Sequence, residues 1–247
     1  MNVRPTCYCL PNQVATRRRN RQQIEMLFRT HGGRRAGAGR KRVLPGKKRV
    51  SHRARESFSS RTPLHITTGI RQDVPRLRNR TRCRVIRDAL IAVLDEPGFR
   101  VCEFSVQRSH LHLVCEAEDK GCLGRGMKRL KKRIANGINR QLGRKGSVFA
   151  DRYHLEVLRC PRQTRNAICY VMHNARRHGE RLPTMYGGVD PFSSAWWFEG
   201  WVDAGWRAGL APPGIRCTSG AQSWLLRVGW KRSGLLGLGE LPAAATR

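Results

Sequence analysis

The sequence predicts an α+β fold, a small antiparallel sheet with helices packed on one side, flanked by a basic N-terminal arm and an irregular tryptophan-rich C-terminal tail. Three observations carry this reading. Between residues 63 and 179 the apolar positions switch between period two and period 3.6 in the order β-α-β-β-α-β-α. A chain of 247 residues with 39% hydrophobic side chains can furnish one modest core rather than two. All six tryptophans lie at or beyond residue 196, where Pro and Gly interrupt every longer period.

Residues 63–73, PLHITTGIRQD, are β-rich and bounded by Pro and charge, which predicts a strand of about eight residues. Thr81 to Leu94 place Val85, Ile86, Ala89, Leu90 and Val93 on one helical face, and the helix stops before Pro97-Gly98. Residues 99–106 and 110–117 are extended runs joined by Gln107-Arg108-Ser109, an antiparallel hairpin. Leu123, Met127, Leu130, Ile134 and Ile138 then recur at helical spacing. HLEVL at 154–158 predicts a fourth strand. A last helix opens at Pro161, a favoured first-turn position, and ends near Gly179, a favoured stop; its apolar stripe is Ala167, Ile168, Val171, Met172 and Ala175.

Three regions follow from composition. Residues 1–62 hold Arg17 to Arg19 and the run HGGRRAGAGRKR from His31 to Arg42, with too few large apolar side chains to offset chain entropy, so a largely disordered arm is expected. Residues 63–179 are expected to form the one folded α+β domain and 180–247 an extension whose tryptophans are expected to pack on their own domain rather than stack on bases.

The formal net charge is +32, and a compact state with that charge repels itself unless polyanions neutralise it. Residues 1–62 carry 17 basic and 2 acidic side chains, residues 63–179 carry 25 and 10, and residues 180–247 carry 7 and 5. Nucleic acid is therefore the expected partner of the first two regions and not of the third. The arm segment GRRAGAGRKR suits duplex DNA contact through a narrow minor groove, or else serves as a solubilising tail. Nine cysteines without a CxxC pair point to neither zinc nor a disulfide framework. No apolar signal region or membrane-length run is present, so no membrane contact and a cytoplasmic, nucleoid-associated location are expected.

In a strand, residues two apart share a face, so His110 and His112 in SHLHLV present two imidazoles side by side while Leu111 and Leu113 enter the core. Two neutral imidazoles suit a divalent cation. Tyr170 and Asn174 are four apart on the last helix and share a face away from its apolar stripe. A phenol is a poor nucleophile at neutral pH unless its target is activated, and a cation beside a phosphate supplies that activation. Asn174 offers a third, neutral ligand. His173 and His178 are expected at the surface.

Together, PLHIT, the FSVQRSHLHLV hairpin, FADRYH at 149–154 and PRQTRNAICYVMHNARRHG at 161–179 resemble the HUH single-tyrosine transposases, and within them the REP-associated branch. The family's HUH motif is similar to His110-Leu111-His112, and its Tyr-x-x-x-Asn to Tyr170 and Asn174. The family often has Pro after that asparagine, where Ala175 stands here. The resemblance implies a ferredoxin/RRM-like HUH domain, with Tyr170 as nucleophile on single-stranded, hairpin-associated DNA. It further implies Mg²⁺ or Mn²⁺ on His110, His112 and Asn174, a 5′-phosphotyrosine, and a monomer or homodimer in a bacterial cell.

Lys128, Arg129, Lys131, Lys132 and Arg133 form a basic helix exterior, and Arg152, Arg162, Arg165 and Arg177 lie near Tyr170 in sequence; these are the expected DNA contacts. Two other readings stand beside this one. A domesticated, non-catalytic nucleic-acid binder accounts for the charge alone. A two-histidine RNA phosphoesterase would use His65-x-Thr67 and His110-x-His112 as paired acid and base.

Overall fold

The computed structural model describes residues 56–203 and 205–241. The arm expected at residues 1–62 lies outside them except for 56–62.

The elements run β1 (Leu64–Gly69), α1 (Arg80–Ile91), β2 (Phe99–Val106), β3 (His110–Ala117), α2 (Lys120–Gln141), β4 (His154–Val157) and α3 (Pro161–Arg177), the order the periodicity predicts. Asn79 caps α1 by accepting from the Thr81 amide at 3.0 Å, and Asp119 caps α2 from the Cys122 amide at 2.7 Å. No side chain caps α3; Pro161 instead sets its first turn, and Gly179, at φ 70°, ends it in the left-handed region.

The four strands form one antiparallel sheet in the order β2-β3-β1-β4. Alternation along β3 sends Leu111, Leu113 and Cys115 to one face, where they join Leu64 and Ile66 of β1 under α1 and α2. Leu123, Met127, Leu130, Ile134 and Ile138, the predicted stripe of α2, are all buried there. Truncating one of them, as in Leu130→Ala, costs about 2–5 kcal/mol for lost transfer energy and a cavity. Gly126 lets α2 approach β2 closely, since a Cβ at that position would overlap the Phe99 ring.

The helices are not all on one side. α1 and α2 share a face as expected, whereas α3 packs on the other face with Val114 and, through Ile168, Val171 and Met172, builds a second apolar cluster. Its apolar stripe fits either sheet face, and periodicity along one helix carries no information about which one it covers.

The C-terminal extension completes that second cluster. Trp196, Trp201 and Trp230 are buried against α3, as expected, whereas Trp224 stays half exposed. The extension also covers the open edge of β2. Val106 donates to the Phe192 carbonyl at 2.9 Å and Ser194 donates to the Phe104 carbonyl at 3.0 Å, so an otherwise unpaired row of backbone groups is satisfied. A buried ion pair and a buried carboxylate clamp it. Arg78 holds Asp190 through two bonds of 2.9 and 3.0 Å, and Glu116 accepts from the Gln222 and Ser223 amides. No helix among the described residues is long and apolar enough to cross a membrane.

Candidate functional site

The face of the sheet under α3 carries the clustered histidines. Strand register aligns Thr67 of β1 with His112 of β3, and Thr67 on its other side with His154 of β4; the next rung aligns His65 with Val114 and Glu156. His65, Thr67, His110 and His112 therefore project from the same face.

α3 lies across them, antiparallel to β3. Its Tyr170 ring stands edge-on to His112 with centroids 5.0 Å apart, and edge-on to His65 at 5.9 Å. Two turns later His178 meets His110 at 6.0 Å. Asn174 lies on α3 one turn from Tyr170 and one from His178. β3 and α3 thus bring His110, His112 and Tyr170 together.

Burial separates the four predicted residues. His110 and Tyr170 are partly exposed, while His112 is 3% exposed and Asn174 is fully buried. Desolvation holds the His112 imidazole down to about 2, with the neighbouring His65 adding to it, and burial also lowers His110. Both rings are neutral at physiological pH, the form that ligates metal. His112 Nδ1 is 3.1 Å from Thr67 Oγ1 and 3.3 Å from His65 Nε2, while its Nε2 is buried with no hydrogen-bond partner. Both amide atoms of Asn174 are buried and unpartnered as well. Each such group costs about 1–3 kcal/mol if nothing bonds it; a ring nitrogen lone pair and an amide oxygen are donors a cation can take, whereas the Asn174 NH₂ needs an acceptor. Among the described residues no group of three His, Cys, Asp or Glu side chains is placed to hold an ion; the donor set here is two imidazoles and an amide.

Two expectations change. His173 is not at the surface: it is buried edge-on to Trp201, with centroids 5.3 Å apart, and desolvation holds it down to about 4. Arg165 does not face open solvent; its guanidinium bonds both Glu240 oxygens at 2.7 and 2.9 Å and the Gly234 and Leu235 carbonyls, tying the extension to α3.

The other expected DNA contacts divide by face. α2 covers the sheet side opposite Tyr170, so exposed Lys128, Lys132 and Arg133 belong to a different surface from the histidines. Arg129 pairs with Glu96 at 2.6 Å, and Lys131 donates to the Asp151 carbonyl at 3.1 Å while lying over the Phe149 ring. Arg177 sits over the Tyr170 ring, 5.5 Å from its centroid, Arg162 is exposed at the start of α3, and Arg152 is partly buried just before β4.

His65 and Thr67, which the sequence paired with His110 and His112 only in the phosphoesterase reading, lie on the HLH face because β1 pairs with β3. His178 is the member that sequence reasoning did not place here.

No family model matches the chain, and no curated protein does. Among solved structures it is similar to one of a REP-associated tyrosine transposase bound to a REP hairpin, at 18% identity, covering 69% of this chain and 94% of that one, with a TM-score of 0.48.

Proposed function

We propose that the chain is a tyrosine transposase that cleaves and rejoins single-stranded, hairpin-associated DNA. The observation that carries this is Tyr170 standing against His112 while the buried amide of Asn174, one turn on, has no partner.

His110, His112 and Asn174 would hold the cation; two imidazoles and an amide oxygen suit Mn²⁺ better than Mg²⁺. When bound, the ion supplies Lewis-acid polarisation of the phosphate and offsets transition-state charge. Tyr170 Oη, its proton passed to water, attacks phosphorus; the P–O3′ bond breaks and the 3′ oxygen takes up a proton. The 5′ end stays on Tyr170 as a phosphodiester, which conserves the bond for rejoining without ATP. Arg177, over the ring, stabilises negative charge on the phenolate and on the incoming strand. The basic α2 exterior holds further phosphates.

The test is an SDS-resistant adduct between the protein and a labelled hairpin-tipped strand in Mn²⁺ or Mg²⁺, with Tyr170→Phe as control. Adduct from the wild type and none from the variant supports the reading. Binding without adduct under both metals leaves a non-catalytic DNA binder.

A further inference from the structure

A second cleft lies away from Tyr170, between α1 and the extension. Arg80, Arg84 and Ile91 form part of its α1 side, and Met185, Tyr186 and Ile215 part of the opposite wall. Its volume is about 670 Å³, within the range of small-ligand sites. α1 covers the sheet face opposite the histidines, so this cleft and the Tyr170 site are separate.

The walls are held in place. Arg87, at the base, donates to the Pro213 and Pro191 carbonyls at 2.7 Å each and stacks over Trp197, so its charge is spent on the scaffold. Arg80 and Arg84 differ: both are exposed, and neither has an ion-pair partner among the described residues. Asp88 is the one acid in the lining, against three arginines. On the opposite lip, Met185 is 58% exposed and Ile215 69%, large apolar groups left in water beside the Tyr186 ring. A mouth with two free guanidinium groups facing an apolar, aromatic wall matches a ligand that is anionic at one end and flat and apolar at the other. In a chain of net charge +32, that ligand is a unit of a polyanion.

We propose that this cleft binds one unpaired nucleotide of a single-stranded DNA, its base against Tyr186, Met185 and Ile215 and its phosphate at Arg80 and Arg84. It anchors the strand at a distance from the reacting phosphate. The proposal rests on the DNA reading above for the kind of strand and not for any chemistry at Tyr170.

The experiment is fluorescence anisotropy of the full chain with labelled oligothymidylate in EDTA, where no metal-dependent step contributes. Arg80→Ala with Arg84→Ala should weaken binding about ten-fold and flatten the dependence of log K on log salt by about 1.4, two single-strand phosphate contacts. Met185→Glu with Ile215→Glu, both at exposed positions, should weaken it comparably. Arg227→Ala with Lys231→Ala removes the same charge elsewhere and should leave the affinity within about two-fold. A photo-crosslink from 5-iodouracil in the strand should fall on the peptide containing Tyr186. Cleft variants that behave like the charge-matched control, or a crosslink confined to other segments, would overturn the proposal; tighter binding of oligouridylate through the same cleft would overturn the choice of DNA. The readout contains no covalent step, so failure of the transposase reading, seen as an absent adduct, leaves these cleft results standing and has a different signature.

Discussion

The His65 and His112 rings stack with centroids 5.4 Å apart, and Nε2 of His65 lies 3.3 Å from Nδ1 of His112. On the far side of His65 the Glu156 carboxylate is 3.7 Å from Nδ1. Hydrogen bonding to His65 holds that carboxyl down to about 2, so it stays an acceptor. A His65 proton on Nδ1, toward Glu156, would make His65 Nε2 the acceptor and His112 Nδ1 the donor between the two rings. The lone pair of His112 would then lie on Nε2, the buried atom without a partner, which is the tautomer the proposed cation site needs.

His65→Ala should then weaken Mn²⁺ binding to the DNA-free protein by about ten- to a hundred-fold, and Glu156→Gln by about ten-fold, as removal of groups that orient a ligand does. Calorimetric titration with the metal measures this. Unchanged affinity in both variants would remove the pair from the site.

Acid should destabilise the fold through its buried histidines. His112 and His173 have folded pKa values lowered to about 2 and about 4. The unfolded chain therefore binds more protons below about pH 6.5, and the stability these groups contribute is present above that pH and lost as pH falls toward the folded values. Glu103, pushed up to about 8 by desolvation, acts in the opposite sense and loses stability as pH rises from about 4.5 to 8. With the histidines outnumbering Glu103, stability should fall as pH drops below about 6.5. Chemical denaturation at a series of pH values checks it, and His173→Gln should make that fall shallower.

Arg165→Ala should destabilise the fold by about 2 kcal/mol, since it breaks a partly buried bidentate pair with Glu240 and frees two carbonyls. Glu240→Gln should cost less. Neither should change the salt dependence of DNA binding, which a phosphate-contact role for Arg165 would require.

The exposed part of the α2 basic face behaves differently. Replacing Lys128, Lys132 and Arg133 with Ala should lower DNA affinity and flatten its salt slope by about 2–3. Adduct yield at saturating DNA should be unchanged, because α2 lies across the sheet from Tyr170. Loss of adduct at saturation would place these side chains at the reacting strand instead.

The order of elements was legible because each is amphipathic on its own: the alternation in SHLHLV and the five-residue stripe from Leu123 to Ile138 need no tertiary information. The proximity of His110, His112 and Tyr170 was legible from spacing and family resemblance together. What escaped depends on contacts distant in sequence. Asn174 and His173 read as polar positions outside an apolar stripe, yet both are buried, His173 under Trp201 from the extension. Arg165 reads as one more cation in a basic chain until Glu240, 75 residues on, is folded back against it. Pairing of residues 192–194 with the edge of β2 has no local signal either, because that segment shows no alternation of its own.

The most direct test of the central reading is mass-spectrometric mapping of a covalent adduct on the full chain, after incubation with a hairpin-tipped DNA strand and Mn²⁺. The account predicts a 5′-phosphodiester on Tyr170, absent from Tyr170→Phe and strongly reduced in His112→Ala. An adduct on another residue, or one that persists in Tyr170→Phe, would contradict it.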